Sequence, residues 1–350
     1  MSIERILIIS VSGIGNTILQ SPLIETILAD PKYRVDILFG NKAMAHVFQD
    51  HPFIAKSYIM PDGLLGITRL FLSLIRNHYY STVACFPSNR HQFHLLPFLI
   101  GAKKRIIHLY PEKTLVTSVL SNSKIPAIKG IHDVEQNLNL LKGLGIKSDV
   151  SNRKLTFRIN SHEAGLAEEF LARKGLGRDK TFFGIHAGSG PIKGKKWGTE
   201  RFSEAAKKIM AKADIDNVLI FGGPEEQYEK KELAGMIGEK AVVVEGPTLG
   251  FSGAVIKKCC FFLSNDSGLM HIAAALGIKV LGIFGPTDWT RTAPYGPNAH
   301  FIHAEMPCSP CLTYPFSDFR PKLNCKDTFP CLEAITVDCV VEKAINIIKQ

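Results

Sequence analysis

Cys260-Phe261-Phe262-Leu263-Ser264, then Asn265-Asp266-Ser267-Gly268, then Leu269-Met270-His271-Ile272-Ala273-Ala274-Ala275-Leu276-Gly277 reads as strand, polar turn and helix. The apolar run ahead of Ser264 is too short for a helix and is bounded by turn residues, as in a strand covered on both faces. Ser267 is an N-cap residue type, and Gly277 suits the left-handed position past a helix end. A helix start offers unpaired N–H groups and a partial positive charge, which together hold phosphate. Gly268 lets a ligand approach the backbone, and His271, about one turn in, reaches toward a pyrophosphate oxygen. Taken alone, the same residues also describe an ordinary capped helix with a packed histidine.

The alternation continues outward from this unit. In the second half of the chain, Phe182–His186, Asn217–Phe221, Ala241–Glu245 and Lys279–Phe284 read as further buried strands. Helical stretches lie between them at Thr199–Ala213, Glu225–Ile237 and Gly250–Lys257, with Thr199 as an N-cap type. In the first half, strands fit Arg5–Ser10, Arg34–Phe39 and Thr82–Phe86, and a helix fits Thr17–Leu28, with Pro22 placed to delay or bend it. Short apolar strands alternating with helix-length stretches predict α/β domains with parallel sheets. At 350 residues the chain exceeds what one core supports. The polar, turn-rich stretch Lys147–Ser161, holding one short strand candidate at Leu155–Ile159, marks the junction. The expected division is 1–155, 156–335 and a closing helix within 336–350. In parallel sheets of this kind, ligands sit at the carboxyl ends of the strands, which directs attention to the loops.

Four more loops carry candidate chemistry. His186-Ala187-Gly188-Ser189-Gly190 ends one strand and leads to Lys193, Lys195, Lys196 and Trp197, whose lysines are point charges for phosphate or simply solvated. Gly222-Gly223-Pro224-Glu225-Glu226 puts carboxylates at a helix start, where they bond ribose hydroxyls or complement the helix dipole. Phe284-Gly285-Pro286-Thr287-Asp288 is a second glycine-containing strand end. Ser12-Gly13-Ile14-Gly15-Asn16 joins the first strand to the first helix, but it lacks the third glycine and the acidic ribose ligand of a dinucleotide fingerprint.

Charge and cysteines narrow the field. The formal net charge is +10, which suits an anionic partner such as a phosphorylated substrate or a membrane surface. No aromatic-rich RNA motif or basic reading helix is present, so nucleic acid is not expected. No run of about 20 apolar residues occurs, and the first residues read as a strand rather than a signal segment, so a cytoplasmic protein is expected, touching a membrane at most from that side. Leu64–Ile75 reads best as a core helix and, with His94–Ile107, has an alternative reading as a lipid contact. The Lys103-Lys104-Arg105 cluster is a candidate for an anionic acceptor. Cys308-x-x-Cys311 with Cys325 and Cys331 admits a structural zinc site or free thiols.

Taken in order, these pieces resemble glycosyltransferase family 9, the heptosyltransferase-like enzymes of bacterial envelope glycans. The residues that carry the resemblance are Gly15-Asn16 with Pro22, Lys195-Lys196-Trp197 with Phe202, Gly222 to Glu226, Asp266 to His271 with Ala273 to Gly277, and Phe284 to Asp288. The resemblance implies a GT-B arrangement, two Rossmann-like domains with parallel sheets facing a cleft, the first for the acceptor and the second for the donor. It implies inverting, metal-independent transfer of a heptose or related sugar from a nucleotide-sugar, ADP-linked by preference, to a lipopolysaccharide or other lipid-linked, anionic envelope glycan. It further implies no bound cofactor, a terminal helix packed back on the first domain, and peripheral contact with the inner membrane surface. By position, Gly15, Ser189, Asp266, Ser267, Gly268 and His271 would contact the donor, Glu226 its ribose, and Lys195 the leaving group. Many relatives carry Asp where this chain has Asn16, and that Asp looks like the base for the acceptor hydroxyl. Asn cannot take up a proton at useful pH, so the alternatives are His132, Asp133 and Glu135, or water with Asn16 positioning the acceptor. Rival readings are a catalytically silent nucleotide-sugar-binding protein and a nucleotide-sugar epimerase of similar architecture.

Overall fold

A computed structural model describes residues 3–85, 92–110, 119–147, 153–177, 179–190, 194–316, 325 and 328–350. The chain forms two compact units, Met1–Arg158 with a short return that begins at Thr313, and Ile159–Leu312 with the C-terminal segment. The first contains β1 (Glu4–Ser10), α1 (Ile14–Leu19), α2 (Ser21–Leu28), β2 (Tyr33–Phe39), α3 (Lys42–His46), β3 (Ile54–Ile59) and α4 (Leu64–Arg76). It continues with β4 (Ser81–Ala84), α5 (Gln92–Leu99), β5 (Lys104–Leu109), β6 (Ser123–Pro126), α6 (Asp133–Leu138) and α7 (Leu141–Leu144). Its parallel sheet has the order β3-β2-β1-β4-β5-β6.

The second unit opens with α8 (Ser161–Arg173), β7 (Phe182–His186), α9 (Thr199–Ala213), β8 (Asn217–Ile220), α10 (Gln227–Ile237) and β9 (Ala241–Val243). Then come α11 (Leu249–Ile256), β10 (Phe262–Asn265), α12 (Gly268–Ala275), β11 (Val280–Phe284), α13 (Trp289–Thr292), β12 (Ala299–His303), α14 (Pro330–Glu333) and α15 (Val337–Lys349). The order β12-β11-β10-β7-β8-β9, all parallel, repeats the pattern of the first sheet. In both sheets the first strand lies at the point where the winding reverses, β1 beside β4 and β7 beside β10, which is where such folds hold ligands. Gly184 at the middle of β7 makes room for aromatic packing, since a Cβ there would lie 2.5 Å from the Phe262 ring.

The helix expected over Thr17–Leu28 is two helices meeting at Gln20. Pro22 has no N–H for the carbonyl of Ile18, and the Ser21 hydroxyl takes that carbonyl instead at 2.6 Å. Leu155–Ile159 forms no strand. It runs as an extended tie, with the Thr156 amide on Ser21 Oγ at 2.8 Å and the Arg158 amide on the Val47 carbonyl at 3.2 Å, so its bonds go to two elements rather than to one ladder. Thr199 is the first residue of α9, and Gly198, with φ +114°, stands in the cap position expected of Thr199. Gly277 has the left-handed φ expected of it, +77°. The terminal helix α15 belongs to the second core rather than the first, because its buried stripe Val340, Val341, Ala344 and Ile347 packs with Phe202, Ala206 and Ile209 of α9. Among the described residues no helix is long and apolar enough to cross a membrane.

Candidate active site

At the carboxyl edge of the second sheet, β7 ends in His186 and β10 in Asn265, with His186 level with Ser264 in the register. The buried His186 ring places Nδ1 2.8 Å from Ser267 Oγ and Nε2 3.0 Å from Glu226 Oε2. The Ser264 hydroxyl donates to the Asn265 carbonyl at 2.7 Å and lies 2.9 Å from Ser267 Oγ. Its proton is therefore spent, so Ser267 donates to Ser264 and accepts from His186. The His186 ring thus bridges the Ser267 hydroxyl and the Glu226 carboxylate, which can only accept from Nε2. Burial works against the Glu226 carboxylate, but the His186 hydrogen bond and charge, the Gly223 amide at 2.8 Å and Lys196 outweigh it and hold its pKa below the usual range. Gly188 is required here, because a Cβ would lie 1.8 Å from Glu226 Oε1.

Ser267 caps α12, accepting from the Met270 amide. Lys195 Nζ pairs with Asp266 Oδ2 at 2.6 Å, both side chains largely buried. Asp266 thus anchors the lysine rather than standing bare beside a diphosphate. Asn265 fixes the approach to that lysine: its amide nitrogen donates to the carbonyls of Ala187 and Gly188, and its oxygen accepts from the Trp197 amide at 3.1 Å. Trp197 is itself held by Nε1 on the Ile335 carbonyl at 2.8 Å. Lys196 pairs with Glu229, and Ser189 donates to the Gly190 carbonyl at 3.3 Å. His271 is buried in the first turn of α12. Lys193 lies outside the described residues.

Six of the expected residues therefore gather in the second unit: Lys195, Glu226, Asp266, Ser267, Gly268 and His271. His186 and Asn265 stand in the loops read from the sequence but were given no role of their own there, yet they tie the three strand-end loops together. The available signal was their place as the last residues of apolar strands.

Gly15 and Asn16 lie in α1 of the first unit. Asn16 donates its amide nitrogen to the Ser12 carbonyl at 3.1 Å and lines a small pocket with Cys85, Tyr110, Asp133 and Gln136. His132 caps α6, accepting the Val134 amide on Nδ1 at 3.2 Å, and Glu135 pairs with Arg153 at 3.0 Å. At the C-terminal cysteines, Cys308 is exposed, Cys311 and Cys325 are half-buried and Cys331 is buried, all as thiols. Burial, then neighbouring thiols, push the pKa values of Cys311 and Cys331 upward. Among the described residues no three His, Cys, Asp or Glu are grouped to hold a metal ion.

The model of glycosyltransferase family 9 (heptosyltransferase) matches residues 90–318. Lipooligosaccharide heptosyltransferase 2 of Campylobacter jejuni is 26% identical over 345 residues, which span 96% of each protein. Among solved structures, a family 9 glycosyl transferase from Veillonella parvula superposes with a TM-score of 0.79 at 21% identity, covering 99% of this chain and 98% of the other. The ADP-heptose lipopolysaccharide heptosyltransferase II of Escherichia coli gives 0.76 at 18% identity, with 99% of both chains covered.

Proposed function

The chain belongs to glycosyltransferase family 9, and from that premise we propose that it transfers a heptose from ADP-heptose to a lipooligosaccharide or lipopolysaccharide acceptor, with inversion at the anomeric carbon and no metal requirement. The fold is that of the GT-B heptosyltransferases. The observation that carries the reading is the group at the β7–β10 reversal: the α12 N-terminus, the Lys195–Asp266 pair and the His186–Glu226 pair around three strand ends. Asp266 engages the lysine ammonium through one oxygen, and the remaining N–H donors serve the departing diphosphate. Fixed donors of this kind stabilise charge where it develops, without reorganising as the bond breaks. Lys195 and the α12 amides together take the role a divalent cation plays elsewhere. Glu226 Oε2 is committed to His186 and Gly223, which leaves Oε1 for the ribose hydroxyls.

Features of the first unit support a reading of the acceptor side and the place of work. From Gly63 to Tyr110 the sequence contains no Asp or Glu, while Arg69, Arg76, Lys103, Lys104 and Arg105 stand in it. The outward residues Leu64, Leu65, Ile67 and Leu72 of α4 and Phe98 and Leu99 of α5 are exposed. The inward faces of both helices, through Leu70, Leu74 and Leu96, share one core cluster with Ile100 just past α5. This basic, apolar surface suits the anionic cytoplasmic face of the inner membrane, where a lipid-linked acceptor resides.

The test is calorimetric titration with ADP-heptose and with GDP-, UDP- and CDP-linked sugars, followed by transfer with a chelator present. The expected outcome is selective ADP-heptose binding, weakened at least tenfold in Lys195→Ala, and turnover that survives the chelator. Binding of none of the four donors would remove the reading.

A further inference from the structure

Resting on that reading, we propose that Asp133 is the catalytic base that accepts the proton of the acceptor hydroxyl, in place of the carboxylate that Asn16 lacks. The two residues are 117 positions apart in the chain and line one pocket at the β1–β4 reversal of the first unit. The pocket has room for little more than one water-sized group, which matches a single hydroxyl.

Its lining leaves one proton acceptor. Asn16, Gln20, Gln136 and Asn137 are amides, Tyr110 is a phenol, and burial pushes the Cys85 thiol up so that it stays protonated. Asp133, only 6% exposed, carries the one carboxylate among the described residues that line the pocket. The other two sequence candidates, His132 and Glu135, are not among the residues that line the pocket. An independent observation marks the pocket as a binding place. Gln136 is 3% exposed, its oxygen accepts the Ile128 amide at 3.2 Å, and its Nε2 has no hydrogen-bond partner among the described residues. A buried amide N–H without a partner is costly, and an acceptor oxygen in this pocket would satisfy it.

The roles then divide. Gln136 Nε2 donates to the hydroxyl oxygen, the hydroxyl proton faces Asp133, and Asn16, whose amide nitrogen is held by the Ser12 carbonyl, forms the neighbouring wall. As that oxygen bonds to the anomeric carbon, its proton passes to a carboxylate oxygen of Asp133. The bond from the anomeric carbon to the phosphate oxygen breaks, and its electron pair leaves on the nucleoside diphosphate.

The experiment measures ADP-heptose affinity by calorimetry and transfer to lipooligosaccharide isolated from a strain lacking heptosyltransferase 2. Wild type, Asp133→Asn, Asp133→Glu and Asp133→Asn with Asn16→Asp are compared across pH. In Asp133→Asn, kcat should fall about 10²- to 10⁴-fold, with donor Kd and thermal midpoint kept and the acid limb of the kcat profile lost. Asp133→Glu should retain part of the rate, and Asn16→Asp should restore part of it in the double variant. Glu135 is paired with Arg153 and Cys85 stays neutral, so neither supplies that limb, and the profile of His108→Gln, in which the limb should persist, separates Asp133 from the neighbour whose pKa burial holds down at about 4. A kcat in Asp133→Asn within threefold of wild type, with the acid limb intact, overturns the inference while leaving the family reading in place. A wild type that binds no ADP-heptose overturns both.

Discussion

Glu226 shows how tightly one carboxylate is fitted. Its Oε2 holds the His186 ring and the Gly223 amide, and its Oε1 fills the space a Cβ on Gly188 would need. Glu226→Gln removes the carboxylate shared by the His186 ring and the Gly223 amide, so on the proposed function ADP-heptose affinity should drop about tenfold, or 1.4 kcal/mol. Gly188→Ala should give a similar loss by displacing Glu226, and the double variant should be no worse than either single one. Calorimetry on the three variants checks this; additive losses would mean that Gly188 acts on the ligand by itself. Asp266, Ser267, Lys195 and Glu226 were legible in the sequence because strand-end loops announce themselves by glycine and small polar residues. His186 was not, because its partners lie 40 and 81 residues away and a single histidine after an apolar strand reads as packing. The pairing of Lys195 with Asp266 was hidden for the same reason, since sequence gives residue types but not the ion pair they form.

At the scale of elements, α4 separates pattern from burial. Its sequence is apolar nearly all round and was read as core, yet Leu74 is its one buried residue, and Leu64 and Leu65 are 79% and 78% exposed. Apolar periodicity reports which side faces something non-aqueous, and it does not say whether that is protein or lipid. Replacing Leu64 and Leu65 together with Ser should reduce co-sedimentation with anionic vesicles several-fold and leave the thermal midpoint unchanged, because neither residue packs in the core. A fall in the midpoint with vesicle binding intact would show α4 to be structural. The strands of the second half were the most legible elements: Phe182–His186 matches to the residue and the rest to within a few. Runs of Phe, Ile, Leu and Val closed by glycine leave little choice. The break at Gln20 was only half legible, since Pro22 announces a disturbance but the Ser21 hydroxyl that repairs it acts through three-dimensional contact.

For the molecule as a whole, acid stability rests partly on one histidine. His108 on β5 is buried with Nδ1 3.3 Å from the Ile125 carbonyl, and burial holds its pKa down at about 4, against 6.5 in an unfolded chain. The folded state stays unprotonated between these values while the unfolded state takes up a proton. Stability is therefore full above pH 6.5 and falls as the pH drops toward 4, by about 3 kcal/mol in total. Denaturant unfolding across that window should show this slope for wild type and a shallower one for His108→Gln. The two sheets share one strand order, and that repetition was readable as alternation of strands and helices, although the strand order was not. The chain also leaves the second unit at Thr313 to revisit the first, where the Phe316 ring meets Tyr110 edge-on with centroids 5.3 Å apart. Tyr110 lines the pocket that holds Asn16 and Asp133. A ribosome has therefore made most of the second unit before it delivers the last piece of the first. A gene cut at the Arg158–Ile159 junction would yield an amino-terminal fragment whose Asn16 pocket lacks the ring that backs it.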